Sequence, residues 1–131
     1  MKQLRNPASV HGPLAAYSHQ IEHSGGERLL AMSGQVGMTP AGVLPEDADA
    51  QFELALANVV RNLEAAGMVP ADLIKLTFYL TEQVAAERRA QILEGCLRGH
   101  APCMTLIFVP ALAAPALKVE IDAWASTDRS A

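Results

Sequence analysis

Leu117-Lys-Val-Glu-Ile-Asp-Ala-Trp-Ala125 alternates without a break, with Leu117, Val119, Ile121, Ala123 and Ala125 on one side and Lys118, Glu120, Asp122 and Trp124 on the other. A period of two belongs to a β-strand, whose successive side chains point to opposite faces. The apolar half goes to a core, so the charged half must face water or some other cover. Glu120 then has two readings. One is a plain charge on a solvated strand face. The other is a carboxylate held on a rigid strand beside apolar surface, where desolvation raises its pKa and lets it orient or activate a water molecule. Asp122 shares that face ~7 Å further along; it reads as a structural or rim charge, with an acid/base pair as the alternative.

Working outward, residues 104–109 form another apolar strand, joined to residues 117–126 through the loop that Pro110 and Pro115 bracket. Residues 73–80 alternate Ile74, Leu76, Phe78 and Leu80 with Lys75, Thr77 and Tyr79, again as a strand. Between them, Thr81 can cap a helix over residues 82–97 that stops at Gly99. An earlier helix, from about 50 to 66, carries Phe52, Leu56, Val59, Val60 and Leu63 at helical spacing, with Asp47 or Asp49 as cap and Gly67 as stop. Gln51, Asn58, Arg61 and Glu64 fall on its wet side. Near the start, residues 16–23 alternate up to Ser24-Gly25-Gly26, and residues 28–33 return as a hairpin partner. Gly34, Gly37, Pro40 and Gly42 then make a loop rich in free backbone N–H groups. The order ββ-α-β-α-ββ predicts an α+β fold, one mixed sheet with both helices on one face, and its other face left for water or another subunit.

A chain of 131 residues with 50% hydrophobic side chains forms one domain, 1–131, with a core large enough to need no disulfide or metal staple. Ten basic against 14 acidic residues give a net charge of -4, and no basic cluster exceeds Arg88-Arg89, so no nucleic-acid partner is expected. Cys96 and Cys103 follow no metal-ligand spacing and are too few for a secreted disulfide framework, which fits a cytoplasmic protein. No apolar run approaches the ~18 residues that span a bilayer, and no membrane role is expected.

Few other residues suggest chemistry. Ser33-Gly34-Gln35 ends a strand where a hydroxyl and unpaired amides can grip a small polar ligand, or simply make a turn. Tyr17 can lend a phenol to a pocket or sit half-buried with its hydroxyl in water. His19 and His23 could share a face, but no third ligand stands at suggestive spacing, and no metal is expected. Cys103 begins a strand without a basic neighbour closer than His100 and reads as a packed thiol. No nucleotide or nucleophile-elbow fingerprint occurs.

Four blocks, Gly12-Pro13 with Ala16-Tyr17-Ser18, Ser33-Gly34-Gln35-Val36, Pro102-Cys103-Met104-Thr105 and Val119-Glu120-Ile121-Asp122, together resemble the Rid family, the YjgF-like reactive-intermediate deaminases also labelled endoribonuclease L-PSP. The resemblance runs from about residue 6 to 126. It implies a chorismate-mutase-like fold, a homotrimer with clefts between neighbouring subunits, and cofactor-free hydrolysis of 2-imino or 2-enamino acids to keto acids and ammonia. It further implies that Glu120 positions water while Tyr17 and Ser33 line the pocket. The family's carboxylate-clamping arginine falls on Met104, which offers neither charge nor donor. Losing such an anchor costs on the order of a hundredfold in affinity or rate. Met104, with Cys103 beside it, therefore points to a neutral or bulkier imine, enamine or amide-like substrate bound by Tyr17, Ser33 and the Gly34 amide. Three alternatives stand beside this: a non-catalytic small-metabolite-binding or regulatory trimer, imino-acid deamination with Arg89 as a substitute clamp, and the ribonuclease of the older label, which the charge balance disfavours.

Overall fold

The computed structural model describes residues 1–130. Strand order is β1 (Lys2–Arg5), β2 (Gln20–His23), β3 (Arg28–Val36), β4 (Leu73–Leu80), β5 (Cys103–Phe108) and β6 (Val119–Thr127), with helices α1 (Ala48–Ala65) and α2 (Ala86–Leu97). A four-stranded sheet runs β3-β6-β4-β5; β4 and β5 are parallel, joined through α2, and the other pairs are antiparallel. The mixed α+β architecture expected from the sequence is the one observed.

The alternation read from β4 and β6 sets the layers. Leu73, Leu76, Leu80, Val119, Ile121, Ala123 and Ala125 are fully enclosed and meet Phe52, Ala55, Val59 and Leu63 of α1. Phe52 stacks on Phe78 with ring centroids 5.5 Å apart, the offset geometry that adds to plain area burial. Asp47 caps α1 by accepting the Ala50 N–H at 3.1 Å, and the helix ends where Gly67 takes a φ of 69°. Among the described residues, no helix is long and apolar enough to cross a membrane.

Four expectations need correction. Residues 16–23 and 28–33 do not pair as a hairpin: β2 pairs with β1 in a separate two-stranded ribbon, while β3 pairs with β6. The longer ladder wins β3, and the ribbon is pinned instead through His23, whose ring meets Ser126 Oγ at 2.5 Å and Asp128 at 2.8 Å. Residues 16–19 remain irregular, because Ser18 is drawn to the entrance of β5, donating to the Ala101 carbonyl at 2.6 Å. The second helix starts at Ala86 rather than 82. Thr81 lies too far ahead of that start to cap it: its N–H extends the sheet by donating to the Lys118 carbonyl, and the buried Val84 holds the linker against the core.

Gln51 is not on the wet side of α1 but fully buried. Its amide donates to the carbonyls of Pro45 and Ala116 and accepts the Lys118 N–H at 2.8 Å, so one side chain satisfies three backbone groups of two loops. One α-turn pair later, Asn58 donates to the Val36 and Met38 carbonyls and fixes the exit of β3. Both polar residues thus hold the glycine-rich loop that follows Ser33 and Gly34.

Candidate functional site

Glu120 stands on the sheet face that no helix covers. Its neighbours in register are Val36 on β3 and Tyr79 on β4. That open face also carries Asp122, half-buried, and Leu29 and Trp124, which are 66% and 44% exposed.

The ladder between β3 and β6 slips between Met32 and Gln35, where one extra residue enters β3. Ser33 and Gly34 form this bulge opposite Asp122, and bulges commonly re-aim side chains beside sites. The Glu120 side chain lies directly over Gly34: a Cβ there would collide with its Oε2 and stand 2.6 Å from its Cδ. The sequence therefore brings Ser33, Gly34 and Glu120 together through one irregularity in one strand pair.

Tyr79 was passed over in the sequence as part of an alternating strand. In the structure its hydroxyl donates to Asp122 Oδ2 at 2.8 Å, next to Glu120. That hydrogen bond, then burial, then the charges of Asp122 and Glu120 push the phenol above its ordinary pKa, so it stays a proton donor at neutral pH. Its signal was available: antiparallel pairing of residues 73–80 with the last strand sets Tyr79 opposite Glu120.

The remaining candidates gather elsewhere. Tyr17 accepts the Leu14 N–H at 3.1 Å and meets the His19 ring edge-on at 5.6 Å. Ser18, next to it, is tied to Ala101 and Pro102, which brings this loop to the start of β5, where Cys103 and Met104 lie. Met104 is in register with the enclosed Leu76 and packs on the core side, so within one protomer it does not share the face of Glu120. Arg89 lies on α2 and donates to the Val84 carbonyl at 2.6 Å. His19 and His23 are engaged separately, the first with His11 and the second with Ser126 and Asp128. Burial pushes the Cys96 thiol up, away from reactivity. A groove of about 930 Å³ between α1 and α2, lined by Leu56, Val60, Ile92 and Cys96 among others, belongs to the helix layer and not to the face of Glu120.

The candidates thus form two groups at opposite parts of the sheet. Ser33, Gly34 and Glu120 occupy β3 and β6, while Tyr17, Cys103 and Met104 cluster at the start of the edge strand β5. With neighbouring strands ~4.8 Å apart, β5 runs ~10 Å from β6.

Residues 8–127 match the family described as Endoribonuclease L-PSP. A Rid-family protein of unknown function from Yersinia pestis, YyfB, superposes with a TM-score of 0.84 at 31% identity, covering 95% of this chain and 98% of that one. TdcF of E. coli, solved with bound serine, has a TM-score of 0.69 at 26% identity, covering 98% and 99%. A RutC family protein of Aquifex aeolicus is 32% identical over 83 residues, which span 63% of either chain.

Proposed function

The chain belongs to the endoribonuclease L-PSP family, the Rid or YjgF-like proteins, and from that premise we propose that it hydrolyses a small reactive imine, enamine or amide-like metabolite in a cleft between subunits of a homotrimer. The observation that carries this reading is Glu120, seated over the Gly34 bulge on a face without its own cover. The two separated groups of candidate residues favour a composite site. A neighbouring protomer would bring its Tyr17 and the start of its β5 at Cys103 toward Ser33, Gly34 and Glu120, and would bury Leu29 and Trp124 at the same time.

In the proposed reaction Glu120 accepts a proton from water as the oxygen attacks the imine carbon. Glu120 returns that proton to the nitrogen of the resulting carbinolamine, the C–N bond breaks with its electron pair going to nitrogen, and as ammonia leaves the hydroxyl gives up its proton to the Glu120 carboxylate and becomes the carbonyl of the product. Ser33 and the Gly34 amide orient the substrate. No cofactor enters this scheme. With Met104 in place of the clamp arginine and packed on the core side, and Arg89 bonded to the Val84 carbonyl, neither offers a cation to a substrate carboxylate, so the substrate is one without a carboxylate to be gripped.

Binding without turnover is the second reading, favoured by the serine found in TdcF. Ribonuclease activity has little physical support in a chain of net charge -4 without a basic stripe. Ammonia release from a panel of neutral and aromatic imines tests the proposal. Wild-type protein should accelerate release, and Glu120→Ala should lower the rate by ~100-fold or more. A rate untouched by that substitution would remove Glu120 from the chemistry, and a ligand recovered unaltered would favour binding alone.

A further inference from the structure

The reason for glycine at position 34 is not its backbone. Gly25, Gly42, Gly67 and Gly99 adopt positive φ, but Gly34 does not, so an L-residue could take up its backbone conformation. What a side chain could not do is share the space. A Cβ at position 34 would fall on Oε2 of Glu120 and approach its Cδ and Cγ to 2.6 and 2.8 Å. Tyr79, the neighbour on the opposite side, is turned to Asp122 at 2.8 Å and leaves the Glu120 carboxylate to the side of the bulge.

We infer that Gly34 is the positioning residue for Glu120: the missing Cβ at the β3 bulge lets the carboxylate lie across β3 instead of standing away from the sheet. The inference rests on the proposed role of Glu120 for its functional consequence, but not for its geometry. Gly37, three residues on, supplies the contrast. A Cβ there would collide with the Gln51 carbonyl oxygen and stand 2.6 Å from Gln51 Cα, which is helix backbone and cannot yield. The obstacle at Gly34 is the end of a flexible side chain, which can. Gly37 therefore serves the fold, through close strand-to-helix packing, and Gly34 serves the place of one carboxylate.

The test compares Gly34→Ala, Gly37→Ala, Glu120→Ala and the Gly34→Ala/Glu120→Ala double variant by thermal unfolding, by the carbon-detected NMR resonance of the Glu120 carboxylate in the variants that keep it, and by ammonia release. Gly37→Ala should lower Tm by roughly 5 °C or more. Gly34→Ala should keep Tm within about 2 °C of wild type, yet move the Glu120 carboxyl resonance. Its rate should fall to that of Glu120→Ala, and the double variant should lose nothing more, as expected of two changes acting through one group. An unmoved Glu120 resonance in Gly34→Ala, or a Tm loss there matching Gly37→Ala, overturns the inference. If the resonance moves while wild-type protein hydrolyses no imine, the positioning role stands and the hydrolase reading falls.

Discussion

Strand β6 serves two regions that differ in what encloses them. Val119, Ile121, Ala123 and Ala125 are fully buried against α1 and its surroundings, whereas Glu120 and Asp122 are half-buried and Trp124 is 44% exposed. The inward residues are interchangeable in kind, since any apolar side chain of similar volume keeps such a core together. The outward residues depend on their individual neighbours: Glu120 on the empty space at Gly34, and Asp122 on the hydroxyl of Tyr79. The same alternation separates the core from the face of the proposed chemistry, and substitutions on the two faces should report on different quantities.

The largest stability effect is expected inside. Phe78→Ala removes the ring that stacks on Phe52 and should cost about 3–5 kcal/mol in urea unfolding. Activity per folded molecule should change little, and a selective loss of activity at full stability would break the division between faces.

An intermediate effect belongs to Asp72, whose side chain is 4% exposed and is held by Arg129 at 2.6 Å and Lys2 at 3.5 Å. Burial alone would raise this carboxyl, but hydrogen bonds from Arg129 and the Val69 amide, with the charges of Arg129 and Lys2, outweigh it and leave the pKa below its ordinary value. A lowered folded pKa means that the stabilisation is complete above the unfolded value of about 4 and is lost as pH falls through the folded one. Asp72→Asn should therefore cost about 1–3 kcal/mol at neutral pH, discounted for the exposure of Arg129. The variant and wild type should converge in acid, as read from unfolding curves collected between neutral pH and pH 2.

The smallest stability effect is expected at Glu120. Glu120→Gln should shift unfolding by less than about 0.5 kcal/mol, while ammonia release is lost. Tyr79→Phe sharpens the comparison further: it deletes one hydroxyl, frees Asp122, and should reduce the rate by less than Glu120→Gln does, with stability changed by about 1 kcal/mol or less.

Much of the inward region was legible in the sequence because its signals are local. Periods of 2 in residues 73–80 and 117–125, helical spacing from Phe52 to Leu63, and the stops at Gly67 and Gly99 each arise from neighbouring residues. Strand pairing is not local, so β2 was assigned to β3 when its partner was Lys2–Arg5, a strand of 4 residues too short to stand out. Gln51 was misread because polarity alone cannot reveal that three backbone groups await it inside. At the site, the four sequence blocks brought Ser33, Gly34 and Glu120 to notice. Tyr79 was missed because its significance appears only when β4 is laid antiparallel to β6, and Met104 faces the core because its register follows Leu76.

Both the proposed composite cleft and the proposed cover for Leu29 and Trp124 require neighbouring protomers, and sedimentation equilibrium of the purified wild-type protein tests that requirement most directly. At micromolar concentration the predicted mass is three times the 13.9 kDa of one chain. A single-chain mass under the same conditions would leave Glu120 on an open sheet with no second half to its site, contradicting the account.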